Sequence, residues 1–388
     1  MSRSSAQKTP ATLTNLGSSR WAFILELFRA YLGSAVSVGA TLARDSVALL
    51  IHAPGEVVVF FAGFNMATLA SMVPSDYIMT KLLATKGSHI RVSVLDLVFN
   101  VLFSATFALA MGFQAEGRIW ALVAAGNLLL AYPTGVFYAR KQYFFARAFA
   151  GGVSAISAAL FLLHFRLDRM YACAVVSLVI LGWTIVLIAG GIRFEWRKSI
   201  DFKTLLRFTV SSTPFALFYG GNFHLLKASE GMGRLPLLGN RSCYYVYAVM
   251  MMAAPVVLKA VSEKPEWFLG FIHRQRRRAL VLLVSTAALP AILVAFGSLR
   301  LQLIGANVIL LVSAILLYFL YKLIIIRDEV ALLARSTLAV SVVLYILFLV
   351  PLALHLGLRI FATALVAIEL IGLFHLLGLA KPKTKMGM

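Results

Sequence analysis

The chain has 388 residues, of which 61% are hydrophobic and 13% charged, against roughly 45–50% and about 25% in soluble globular chains. That balance excludes a string of soluble domains, and the long unbroken apolar runs exclude a membrane β-barrel, whose strands alternate with period two. Lys and Arg number 36 and Asp and Glu 15, a formal net charge of +21, which must be located along the chain before it is assigned to topology, lipid headgroups, nucleic acid or an anionic cargo.

Residues 1–20 are rich in Ser and Thr, carry Arg3, Lys8 and Arg20, and lack the apolar core and cleavage site of a secretory peptide, so they are expected to form a disordered cytoplasmic tail. Beyond them, hydropathy predicts twelve helical spans of roughly 20 residues each. They fall at 24–44, 55–75, 92–113, 119–138, 147–165, 170–192, 206–226, 242–260, 279–298, 301–321, 336–354 and 358–379. Helices are required because lipid offers no partner to an open backbone N–H or C=O. Cys173 and Cys243 both lie within apolar runs and form neither a disulfide framework nor a CxxC metal site.

Lys and Arg should collect in alternate connections if the span count is right. With the N-terminus inside, 26 of the 36 fall in cytoplasmic segments and nine on the opposite side, which leaves only Arg29 within a span. A miscounted helix would invert the alternation downstream of it, and no inversion occurs, so both termini are placed in the cytoplasm. The connection after the sixth span divides the chain into an N-terminal six-helix bundle (21–192), a cytoplasmic linker (193–205), a C-terminal six-helix bundle (206–379) and a short tail (380–388). An even number of spans per half makes the halves parallel, related by an axis along the membrane normal. The basic run from His273 to Arg278 abuts a span on the positive side, where topology and anionic lipid explain it better than nucleic acid.

The polar residues of the first span are periodic. Glu26, Arg29, Gly33, Ser37, Thr41 and Arg44 recur every three or four positions and so form one helical stripe. An intramembrane Arg facing lipid costs at least ~2.5 kcal/mol, so the stripe is expected to face a water-filled cavity or a partner helix. The plainer alternative pairs Glu26 with Arg29 near the headgroups and lets Arg44 snorkel to the interface. In the seventh span, Pro214 removes a helix hydrogen bond, and Tyr219, Gly220, Gly221, Asn222, His224 and Lys227 follow it. Pro214, Gly220 and Gly221 are therefore hinge candidates and Lys227 a cavity cation; the alternative is a closely packed helix with an interfacial Lys.

Asp96, in the third span beside Ser93 and Asn100, and Glu369, near the middle of the twelfth, are candidates for ion coupling. A mid-membrane carboxyl must be protonated or paired, so Glu369 is read equally as a proton site or as half of a buried ion pair. No phosphate loop, HExxH, paired Cys/His set or GxSxG elbow is present. Neither an enzymatic residue set nor a cofactor or metal site is expected.

These features resemble the multidrug/oligosaccharidyl-lipid/polysaccharide (MOP) superfamily, and within it the bacterial polysaccharide flippases of the Wzx type. The resemblance rests on twelve spans in two parallel halves, internal termini, a polar first span, the stretch from Leu205 to Phe208 through Tyr244 to Ala248, and the basic link from Tyr138 to Tyr143 followed by Arg147. It implies an all-α, MATE-like polytopic fold whose central cavity opens alternately to the two membrane faces. The implied cargo is a polyprenyl-pyrophosphate-linked oligosaccharide, moved across the bacterial inner membrane for O-antigen, capsule or exopolysaccharide assembly. The implied partners are membrane lipids, a polysaccharide polymerase and other glycan-assembly proteins. A pyrophosphate is anionic, and cavity guanidinium and ammonium groups offer it charge-assisted hydrogen bonds; Arg29, Arg44, Lys227 and Arg207 are the candidates, with Tyr31 and Tyr219 as stacking surfaces for sugar. Two rivals stay open: a MATE-type cation-coupled multidrug antiporter, and a polytopic enzyme of glycan assembly.

Overall fold

A computed structural model describes residues 14–84, 90–111, 117–140, 142–189, 192–196, 234–263 and 288–326, together with 218–219, 221–222, 225–226, 274–275, 278 and 281. Eight long helices and two short strands follow one another: α1 (Thr14–Ile51), α2 (Pro54–Ala84), β1 (Ile90–Ser93), α3 (Val94–Met111), α4 (Gly117–Ala139), α5 (Tyr143–Phe161), α6 (Leu167–Ile188), β2 (Ile192–Glu195), α7 (Arg234–Glu263) and α8 (Leu299–Ile326). Among them, five are long and apolar enough to cross a membrane, and shorter apolar stretches lie in α3 and α8. Large apolar side chains such as Leu50, Ile188 and Phe296 are exposed over the outside of the bundle. That surface suits lipid and would be untenable in water.

The first six spans expected from hydropathy, the eighth and the tenth correspond to these helices, with displaced ends. α1 has 38 residues, about 57 Å at 1.5 Å per residue. It begins at Thr14, inside the segment expected to be a tail, and continues past Arg44 to Ile51. Asp45 and Ser46 are polar without being helix breakers, and the chain turns only at His52 and Ala53, ahead of Pro54 at the first position of α2, where proline's missing N–H costs nothing. The ends of the second and sixth spans also need correction. β1 and β2 pair in parallel, with Ile90 opposite Ile192 and Ser93 opposite Glu195, and they place a small sheet between the connections that follow α2 and α6. Arg91 Nη1 and Glu195 Oε1 are 3.2 Å apart across it. The eleventh and twelfth expected spans, the C-terminal tail, most of the seventh span and of the linker, and the first part of the ninth span lie outside the described residues.

Small residues set how closely the helices approach. The tightest seam joins α1 to α5: a Cβ on Gly33 would stand 2.9 Å from Phe144 Cα, and one on Gly151 would stand 2.7 Å from Ser37 Cα. Thr41 Oγ1 meets Ser154 Oγ at 3.1 Å one turn further along. Gly63 of α2 likewise accommodates the Trp120 indole of α4, with which an added Cβ would overlap. The core behind these seams is aromatic, with Phe60 edge-on to Phe161 at 5.3 Å and to Tyr171 at 5.6 Å. His52, in the α1–α2 turn, contacts the Phe161 carbonyl at 3.2 Å. The start of α2, the end of α5 and the start of α6 therefore share one end of the bundle, called below the α1–α2 end.

Candidate functional site

Near the α1–α2 end, the amino-terminal half meets the carboxy-terminal half across a buried ionic cluster. Asp45 of α1 is fully buried, and its two oxygens are divided between the halves. Oδ1 accepts from Arg44 Nε at 2.7 Å, with Arg44 Nη2 2.6 Å away as an ion pair without hydrogen-bond alignment. Oδ2 accepts from three donors of α7: Arg241 Nε at 2.8 Å, Arg241 Nη2, and the Tyr245 hydroxyl at 2.8 Å. Arg241 and Tyr245 reach one oxygen together because residues four apart lie on the same helix face.

The cluster carries two guanidinium charges against one carboxylate, so one positive charge is in excess. Aromatic faces take up part of that excess. The Arg44 guanidinium lies over Phe64 at 4.7 Å and beside Tyr171 at 5.4 Å; that of Arg241 lies between Tyr244 at 4.1 Å and Phe61 at 4.3 Å. Ring faces carry negative quadrupole density, and their attraction for a cation grows when water is excluded. Arg241 Nη1 nevertheless remains buried with no hydrogen-bond partner among the described residues. A buried group of this kind forgoes its hydration without replacement.

Two further contacts frame the junction. Asn65 Nδ2 of α2 donates to Asn222 Oδ1 at 2.9 Å, which links the halves a second time; the outer atoms of both amides, Asn65 Oδ1 and Asn222 Nδ2, are buried and unpartnered among the described residues. Phe218 stacks on Tyr247 of α7 at 3.8 Å between centroids and lies against Tyr244. Within the carboxy-terminal half, Asn240 Nδ2 donates to Asn307 Oδ1 at 3.0 Å.

The residues singled out from sequence are dispersed rather than gathered. Arg44 belongs to the cluster and is 1% exposed, so it neither snorkels nor faces open water here. Gly33, Ser37 and Thr41, from the same stripe, pack against α5, which makes a partner helix the neighbour of that part of the stripe. Arg29 is exposed on α1, as is Tyr31, whereas Tyr219 is buried. Asp96 is buried but stands in the first turn of α3, where its backbone N–H donates to Ser93 Oγ at 3.2 Å; a carboxylate there is favoured by the helix N-terminus. Gly221 packs on Leu310, whose Cδ1 would be 2.6 Å from an added Cβ. Arg207, Lys227, Glu369, Pro214 and Gly220 lie outside the described residues.

Asp45, Arg241 and Tyr245 were not expected from sequence. The hydropathy window closes at Arg44 and assigns Asp45 to a loop, while Arg241 stands before the expected start of the eighth span. A signal was available in the adjacency of Arg44 and Asp45 with no breaker before His52, which keeps both in the helix. Among the described residues, Asp45 is paired with two Arg and Asp168 with Arg166 at 3.0 Å, and Asp96 too has a partner. At the junction of the halves, the buried charge is net cationic, with Arg44 and Arg241 against Asp45.

No protein-family model matches the chain, and no curated protein sequence matches it. Solved structures do resemble it in fold. A crystal structure of a point mutant of the Vibrio cholerae MATE transporter VcmN superposes with a TM-score of 0.50 at 13% identity, covering 95% of this chain and 97% of that one. The bent form of VcmN gives a TM-score of 0.48 at 14% identity over 95% and 98% of the two chains, and a MATE transporter in the straight conformation gives 0.46 at 15% over 92% and 94%. With its membrane-length apolar helices and its near-complete overlap with the first of these, the chain is a polytopic helical membrane protein with a MATE-like fold.

Proposed function

We propose that the chain is an alternating-access transporter, without enzymatic activity, that flips a polyprenyl-pyrophosphate-linked oligosaccharide from the cytoplasmic to the outer leaflet of a bacterial inner membrane. The observation that carries this reading is the sign of the buried charge at the junction of the halves: two guanidiniums are set against one carboxylate, with Arg241 Nη1 unsatisfied. A MATE-like fold supplies two halves that separate at either membrane face, and a cationic junction suits an anionic diphosphate better than a cationic drug. The positive-inside pattern assigns the α1–α2 end to the outer face, so the described conformation is closed outside. Arg29, exposed on α1, and Arg207 are assigned to the cytoplasm-facing part of the cationic path, Lys227 to its outer end, and Glu369 to proton coupling.

The test is surface-glycan display in cells. Arg29→Ala and Lys227→Ala should each abolish surface glycan while the protein still inserts, and normal glycan in both would remove these residues from the path. Glu369→Gln should abolish display, and collapsing the proton gradient should reproduce the defect in the parent. Drug resistance on expression, with glycan unaffected by deletion, would instead favour a cation-coupled multidrug antiporter.

A further inference from the structure

The ionic cluster is more than a tie between the halves, because its partners cannot all keep one another when the halves part. Arg44 and Asp45 are neighbours on α1 and separate from α7 as a neutral pair. Arg241 leaves alone, as an uncompensated guanidinium on the carboxy-terminal half, taking with it Tyr244 and Tyr245. Even in the closed arrangement its Nη1 is unpartnered among the described residues, while Nε and Nη2 are spent on one carboxylate oxygen. Opening at this end thus converts a paired, buried Arg241 into a ligand lacking an anion, at the place where the two halves meet.

We propose that Asp45 is an internal competitor for Arg241. With the halves closed, Asp45 occupies the guanidinium; with the halves parted at the α1–α2 end, Arg241 binds an anionic group of the phosphate class. That the group is the diphosphate of a lipid-linked cargo rests on the flippase reading; the exchange at Arg241 does not. Oxyanion and carboxylate present the same acceptor geometry to the guanidinium fork, so the two are mutually exclusive ligands. Closing the junction therefore expels the anion in favour of Asp45, and a bound anion holds the junction open. Such an exchange gives the transport cycle a release step at one face. Tyr245 belongs to the competitor's side of the balance, since its hydroxyl donates to the same Oδ2 and favours the closed arrangement without adding charge.

The test is a titration of inorganic pyrophosphate onto the purified full-length chain in nanodiscs of zwitterionic lipid, read by calorimetry. Asp45→Asn keeps the shape of the side chain and removes the competing charge, so it should raise pyrophosphate affinity about tenfold, the change expected when the binding-competent fraction rises by that factor. Arg241→Gln in the same background should abolish the gain. Tyr245→Phe, which leaves every charge in place and guards against a misfolded Asp45 variant, should raise affinity by a smaller factor of about two to five. No gain in either Asp45→Asn or Tyr245→Phe, or a gain that survives Arg241→Gln, overturns the proposal. Repeating the titration with phosphatidylglycerol in the nanodisc distinguishes the source of the anion: a gain that persists identifies a soluble diphosphate as able to reach Arg241, and a gain suppressed through Arg241 identifies a lipid headgroup as its ligand. An intact surface glycan in cells lacking the chain would remove the cargo assignment and leave the exchange at Arg241 standing on the binding data.

Discussion

Asp45 accepts from donors on two helices that are almost 200 positions apart in the chain, and its loss would strand two buried guanidiniums. Breaking a buried pair by removing one partner costs about 3–5 kcal/mol, so Asp45→Ala should lower the thermal unfolding midpoint markedly; an unchanged midpoint would mean that the cluster is solvated. Tyr245→Phe removes one hydrogen bond to a charged group and should cost about 1.5–3 kcal/mol. Replacing the whole set by apolar residues, Arg44→Met with Asp45→Leu and Arg241→Met, should be neutral or stabilising by about 1–4 kcal/mol. The same variant should lose transport, because the junction would have no charge to exchange. A triple variant that is both stable and active would assign the cluster to folding alone. At this scale the sequence was partly legible: Arg44 stood out through its periodic stripe, whereas Asp45 was hidden because two adjacent polar residues resemble a helix exit, and a hydropathy average does not weigh the absence of a breaker.

At the scale of elements, the α1–α5 seam depends on residues without bulk. Gly151→Leu would force a branched side chain into the space where a Cβ alone stands 2.7 Å from Ser37 Cα. Overpacking of this kind costs typically about 1–3 kcal/mol and more where backbone must shift, so the variant should lose monodisperse protein in detergent, while Gly39→Leu, at a site with nothing within 4 Å of an added Cβ, should not. Equal behaviour of the two would contradict the seam. The periodicity of α1 was visible in sequence, but a period identifies a face and not its neighbour, so the choice between cavity and partner helix waited on α5. The β1–β2 pair was not legible at all: strands of four residues in basic links between helices have neither the length nor the alternation to register against hydropathy. Arg91→Ala should change stability by under about 1 kcal/mol, because the pair it forms with Glu195 is largely exposed, and a larger loss would give the small sheet a role beyond local pairing.

For the whole molecule, composition excluded soluble and barrel architectures, and hydropathy supplied a series of spans that the described helices follow. The division into halves was legible from chain order, while their contact was not, since Asp45–Arg241 and Asn65–Asn222 join residues that no local pattern relates. Solvation explains this asymmetry: insertion into lipid selects long apolar stretches that are readable one at a time, whereas the junction is chosen by shape and charge across the two halves. The function we propose for this MATE-like bundle is movement of an anionic lipid-linked glycan with the use of Arg241. Its most direct test is flipping of polyprenyl-pyrophosphate-linked oligosaccharide in reconstituted vesicles, followed by the appearance of lectin-accessible sugar in the opposite leaflet. The parent chain should flip well above protein-free vesicles and Arg241→Gln should lose that activity; a parent chain no faster than empty vesicles, or an Arg241→Gln variant as fast as the parent, would rule out this function for Arg241 and the chain.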